Sequence, residues 1–261
     1  MIYAIGDIHG QLEMLDHAID LITADGGPDA DIIFLGDFID RGPDSKGVID
    51  RLIAGRDAGR NWRFVMGNHD RYLIRFVDEG RQHDPRTSSP INWLNPRLGG
   101  TATLASYGIK GEAIFVPHEP KTQEVLLHFQ TDDAALTSDQ LQNTAAKAVP
   151  QTHLDFIASL PLTIETDDHI FVHAGIRPGV AIADQDPEDL LWIRDGFLDD
   201  NTDHGKLVVH GHTALDDPQH FGNRVDLDCG AGFGRPLIPA AFDGRDCYLL
   251  TETGRVPLTP A

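Results

Sequence analysis

Apolar positions in the first third of the chain fall into short unbroken runs separated by amphipathic stretches. IYAI (2–5) reads as a buried strand, and Leu12, Leu15, Ala18, Ile19 and Ile22 then recur at helical spacing, predicting a helix over 12–22. DIIFL (31–35) is a second strand. Ser45 is the expected N-cap of a helix running through Val48, Ile49, Leu52 and Ile53. FVM (64–66) is a third strand, followed by a helix over 71–77. This alternation predicts βαβ units.

The rhythm lapses between about 80 and 150, where prolines stand at 85, 90, 96, 117 and 120, a helix is expected over 99–107, and 130–147 is polar. We read this part as an insertion over the core of a single domain spanning 1–261. After Pro150 a helix (153–160) leads into strands at 162–165 and 170–174, with the turn Thr166-Asp167-Asp168 between them. A helix near 187–193 follows, then strands at 207–211, 224–229, 237–242 and 247–252. The fold class expected from this order is α/β, with two facing mixed sheets flanked by helices.

Charge narrows the function. The 261 residues hold 41 acids and 21 bases, a formal net of -20, and a field of that sign repels long nucleic acids. It still permits a small phosphate ligand if bound divalent ions make one site locally positive. Cys229 and Cys247 have no metal-type spacing, which points to a reducing compartment. MIYAIGD has no basic region and no run approaches a membrane span, so the expectation is a cytoplasmic protein without a membrane partner.

The polar residues that carry chemistry sit at strand ends. GDIHG (6–10), GDFIDRG (36–42) and GNHD (67–70) each follow one of the first three strands, while HAG (173–175) and HGHT (210–213) follow two later ones. Sites in open α/β sheets form at such carboxyl ends, and the adjacent glycines let the backbone turn sharply. Asp7 and His9, two apart in an extended segment, would face one point and make half a metal site. Asp37 offers two oxygens that could bridge two ions. Asn68, His173 and one histidine of HGHT add neutral donors. Two close divalent ions clamp a phosphoryl group and generate hydroxide at neutral pH.

The ordered series GDIHG, GDFIDRG, GNHD, HAG, GHT resembles the metallophosphoesterases of the PPP (calcineurin-like) superfamily, which include Ser/Thr protein phosphatases and symmetrical diadenosine tetraphosphatases. The resemblance implies that Asp7 and His9 bind one metal, that Asp37 bridges, and that Asn68, His173 and His212 bind the second. His210 would be a packing or supporting residue. It also implies that Arg41 grips phosphate and that His69, oriented by Asp40, is the general acid. LLWIRDGFL (190–198) resembles a segment of bacterial relatives, which makes Arg194 a second phosphate clamp; an Arg near a helix end is also favoured by the helix dipole alone. Cys229 stands where many relatives carry Thr, and Asp70 where the eukaryotic protein phosphatases carry Glu.

The expected activity is hydrolysis of phosphomonoesters by a dinuclear metal centre, with manganese the first choice and iron or zinc also suited to the N/O ligands. WLNPRLGGTATLASYGI (93–109) resembles bacterial protein-phosphatase-like members, so a phosphoprotein substrate is placed first. A symmetrical diadenosine tetraphosphate hydrolase is the alternative, and a non-catalytic metal- or phosphate-binding module the third reading. Trp93 and Trp192 are read as core. His83, His118, His128, His153 and His220 are read as solvated or packing residues.

Overall fold

The computed structural model describes residues 1–86, 90–116 and 123–260; His118, Pro117 and Pro120 lie outside them. Strands β1 (Ile2–Ile5), β2 (Ile32–Phe34) and β3 (Trp62–Phe64) are parallel, linked by helices α1 (Leu12–Gly26) and α2 (Ser45–Asp57). Helix α3 (Asn68–Glu79) follows β3. The middle of the chain adds α4 (Gly100–Ser106), the three-stranded sheet β4 (Glu112–Phe115), β5 (Leu126–Gln130) and β6 (Ala135–Leu136), and α5 (Ser138–Ala148). Helix α6 (Gln151–Ala158) leads into β7 (Thr163–Glu165) and β8 (His169–Val172). Then come α7 (Pro187–Trp192), β9 (Leu207–His210), β10 (Gln219–His220), β11 (Arg224–Asp226), β12 (Ala240–Asp243), β13 (Asp246–Thr251) and β14 (Gly254–Leu258).

Two mixed sheets carry the architecture, as the sequence predicts. One has the order β14-β13-β12-β1-β2-β3 and the other β10-β11-β9-β8-β7. Strand alternation explains how they pack. Ala4, Ile33 and Leu35 join Phe171, Val209 and Val225 in a cluster between the sheets, whereas Ile5, Ile32 and Phe34 turn outward onto α1, α2, α3 and α6. The second sheet alternates likewise, with Ile170, Val172 and Val208 facing Leu190 and Ile193 around α7.

Several local expectations change. Helix α2 is capped by Asp44, whose carboxylate accepts from Gly47 N at 2.7 Å. Ser45 is the first helical residue, and its hydroxyl accepts instead from Asp40 N at 3.0 Å. Part of the polar stretch at 130–147 is helix α5, started by a capping box between Thr137 and Gln140. The middle of the chain contributes Trp93, Leu104, Phe129 and Leu141 to the same cluster as Ile5 and Phe34. No helix among the described residues is long and apolar enough to cross a membrane.

Candidate metal centre and active site

Strands β1, β2 and β3 run parallel in one sheet and β8 and β9 in the other, and the five polar clusters that follow their carboxyl ends meet in one place. Asp7, His9, Asp37, Asn68, His173 and His212 are all buried there. His9 Nε2 lies 3.9 Å from Asp7 Oδ2 and 3.6 Å from Asp37 Oδ2. His173 Nε2 lies 3.5 Å from Asp37 Oδ1 and 2.7 Å from Asn68 Oδ1, which is also 2.8 Å from His212 Nδ1. Asp7 accepts from His212 N at 3.1 Å. His210 is elsewhere, between Arg224 and the Phe197 ring, so the nearer histidine of HGHT is His212.

Turns rather than strand alternation achieve this convergence. β1 ends at Ile5, and His9 has φ 49°, so Asp7 and His9 do not share an extended segment. Five non-glycine residues of the described chain have positive φ: His9, Asp37, Asp40, Arg41 and His212. All five belong to the predicted site. Such backbone persists only where its surroundings fix it. Asp70 does much of that work, accepting from Asp37 N, Phe38 N and Gly67 N at 2.8–2.9 Å and tying two of the loops together.

The donor set suits cations. His9 and His173 donate Nδ1–H to the carbonyls of Ile39 and Leu35, at 2.8 and 2.9 Å, which leaves each Nε2 lone pair facing the carboxylates. His173 Nε2 and Asn68 Oδ1 are then two acceptors 2.7 Å apart with no proton to share. Burial is the main cause that raises the Asp7 carboxyl well above its usual range and Asp37 to about 8, with Asp228 adding to both. Clustered carboxyls in that condition call for positive charge. Their ligating atoms lie within 4.8 Å of one another in two sets, Asp7-Asp37-His173 and His9-Asp37-His69.

Beside this cluster His69 Nδ1 donates to Asp40 Oδ2 at 2.6 Å, and its Nε2 accepts from Arg41 at 3.1 Å. Burial, and then Arg41, hold the His69 imidazole well below its ordinary value. Arg41 also donates to His9 Nε2. Arg194 lies beyond the end of α7 and donates to His212 O at 3.1 Å, with Asp37, Asp7 and Asp228 as its nearby acids, so its side chain serves this cluster rather than the helix end.

Three contributors were missed in the sequence. Trp93 is fully buried, as expected of core, yet its Nε1 donates to Asp40 Oδ2 at 2.8 Å. Thr103 donates to Asp40 Oδ1 at 2.6 Å. Asp228 follows β11, a sixth parallel strand end whose DLDCG repeats the glycine-flanked pattern of the other five.

Likeness to known proteins follows the same outline. The family model for calcineurin-like phosphoesterases matches residues 1–238. A symmetrical bis(5'-nucleosyl)-tetraphosphatase of Janthinobacterium sp. (strain Marseille) is 26% identical over 67% of this chain but only 44% of its own length. The asymmetrical bis(5'-nucleosyl)-tetraphosphatase PrpE of Oceanobacillus iheyensis is 24% identical over 93% of this chain and 88% of its own. The solved structure of a provisionally named diadenosine tetraphosphatase shares the fold, with a TM-score of 0.60 at 18% identity over 100% of this chain and 94% of that one. Six buried ligand-type side chains at the ends of parallel strands, two arginines beside them and a family match over most of the chain lead to one conclusion: this protein belongs to the calcineurin-like phosphoesterase family.

Proposed function

We propose that this chain is a two-metal hydrolase that cleaves a phosphoanhydride bond of dinucleoside polyphosphates. The observation that carries the hydrolase reading is the convergence of Asp7, His9, Asp37, Asn68, His173 and His212 in one buried cluster, flanked by Arg41 and the His69–Asp40 pair. In this reading Asp7 and His9 would hold one divalent ion, Asn68, His173 and His212 would hold the other, and Asp37 would serve both. Manganese is the first choice. Such ions would neutralise phosphoryl oxygens and activate water at neutral pH.

The chain's own groups then divide the remaining work. Arg41 and Arg194 grip the phosphate through planar guanidinium donors. A substrate phosphate that draws the Arg41 donors away from His69 Nε2 weakens one of the charges that depress this imidazole, burial being the larger cause. His69, held by Asp40 through Nδ1, can then carry a proton on Nε2 and deliver it to the leaving oxygen.

The substrate class is supported by the names of the relatives, which include symmetrical and asymmetrical dinucleoside tetraphosphatases. The phosphoprotein reading, placed first from the sequence, moves to second. Manganese-loaded protein should release nucleotides from diadenosine tetraphosphate, and whether the products are two ADP or AMP plus ATP assigns the cleavage position. Fast phosphate release from phosphoserine peptides without dinucleotide turnover would restore the phosphoprotein reading. Inactivity towards both, and towards p-nitrophenyl phosphate, would leave a non-catalytic binding module.

A further inference from the structure

The segment after β11 holds a side chain to which the hydrolytic site gives no role. Residues Ala231–Phe233 form a single 3-10 turn, entered and left through left-handed glycines, Gly230 at φ 79° and Gly234 at φ 81°. The turn presses its backbone onto the site. A β-carbon at Gly232 would come within 2.7 Å of the His9 ring and 2.8 Å of Arg41 Cδ, and Gln11 Nε2 anchors the turn by donating to Ala231 O at 3.2 Å.

Its one large side chain points outward. Phe233 is 59% exposed and is the sole aromatic among the exposed large hydrophobic residues of the described chain. A scattered exposed aliphatic side chain is ordinary. A ring beside the catalytic cluster with two cations near it is a different case: Arg41 Cζ lies 4.9 Å and Arg235 Cζ 6.0 Å from the ring centroid. Arg235 is itself tethered to Leu215 O and Asp216 at 2.6 and 2.7 Å. On a chain of net charge -20, this pairing of positive charge with an exposed aromatic face suits an anion that carries a flat ring. A phosphate held by Arg41 lies within one nucleoside's reach of Phe233.

We propose that Phe233 is a stacking platform for a nucleobase of the nucleotide whose phosphate Arg41 grips, with Arg235 flanking the rest of the phosphate chain. The proposal rests on the dinucleotide reading above and deepens it. Stacking on a ring tolerates every base, so adenine and guanine dinucleotides should be used alike.

The test compares Phe233→Ala and Phe233→Trp in the full chain loaded with manganese. The ratio of kcat/KM for diadenosine tetraphosphate to that for glycerol 2-phosphate should fall about 5- to 100-fold in F233A, mainly through KM, and recover in F233W. Binding of the fluorescent probe etheno-ADP should weaken by a similar factor. Equal losses on both substrates would mean that the turn only supports His9 and Arg41, and would overturn the proposal, as would an unchanged ratio. If the wild-type protein does not cleave the dinucleotide, the function reading fails and etheno-ADP decides the platform alone: weaker binding to F233A keeps it, and equal binding removes it.

Discussion

Trp93 Nε1 and His69 Nδ1 meet the same oxygen, Asp40 Oδ2, at 2.8 and 2.6 Å. A side chain from the middle of the chain thus reaches beneath a pair built from two strand ends. Burial pushes the Asp40 carboxyl up to about 7, and the hydrogen bonds from Thr103 and Trp93 oppose that rise. Trp93→Phe keeps a large ring in the core but removes an opposing donor, so Asp40 becomes easier to protonate and competes with His69 for the proton the leaving group needs. Turnover of a substrate with a poor leaving group should fall about 10-fold. The alkaline limb of its pH–rate profile should move to higher pH, because a carboxylate with one donor fewer binds the proton of the Asp40–His69 pair more tightly. Thr103→Val should shift the limb in the same direction, and a fixed limb in both variants would refute the role.

Asp37 separates the two sets of ligand atoms, with one oxygen 3.6 Å from His9 Nε2 and the other 3.5 Å from His173 Nε2. Asp37→Asn keeps the shape and deletes the charge. Elemental analysis should find fewer than two ions per chain, with activity reduced roughly 100-fold or more. Retention of two tightly held ions would contradict the bridging assignment.

His69→Asn should keep both ions yet lose turnover by about 10²- to 10⁴-fold on alkyl phosphoesters. The loss should be smaller on p-nitrophenyl phosphate, whose leaving group needs no proton. Equal losses on both would argue against proton donation.

Metal-free protein should melt at progressively lower temperature as pH rises from 6.5 to about 8. The Asp37 carboxyl is raised from 3.8 to about 8 and Asp7 well above its usual range, so the folded chain holds protons that the unfolded chain releases. Stability from such groups is complete below about pH 4 and is lost as pH climbs towards 8. Buried histidines such as His173, lowered to about 4, act in the opposite sense, and their contribution is lost only below about 6.5. Above 6.5 the carboxyls therefore decide. Manganese displaces those protons, so its stabilisation should be larger at pH 8 than at 6.5, with apparent affinity rising about tenfold per pH unit for each proton released. Calorimetry on chelator-treated and reloaded protein measures both.

The ligand-type residues were legible because each stands within two residues of a glycine after a buried run, and parallel pairing then helps bring them together. Asp228 carried the same signal in DLDCG and could have been read the same way. Trp93 and Thr103 could not be placed by periodicity, since their contacts with Asp40 span 53 and 63 residues. For Trp93 the one available clue was chemical: a buried indole N–H needs a partner. Much of the middle of the chain escaped notice because its elements are short or polar outside. Helix α5 buries only Leu141 and Ala145, and β6 has two residues. Strand β14 holds Pro257 and is mostly exposed, as suits an edge strand.

The five left-handed backbone positions at His9, Asp37, Asp40, Arg41 and His212 put a tension between durability and chemistry into the molecule. Each costs about 1–3 kcal/mol of local strain, and glycine at any of them would relax the main chain while erasing the group that the site requires. Heat-tolerance selection applied without an activity screen should therefore enrich for inert proteins altered at these five places. Improvement that spares function has to come from elsewhere, on the outer helices and edge strands.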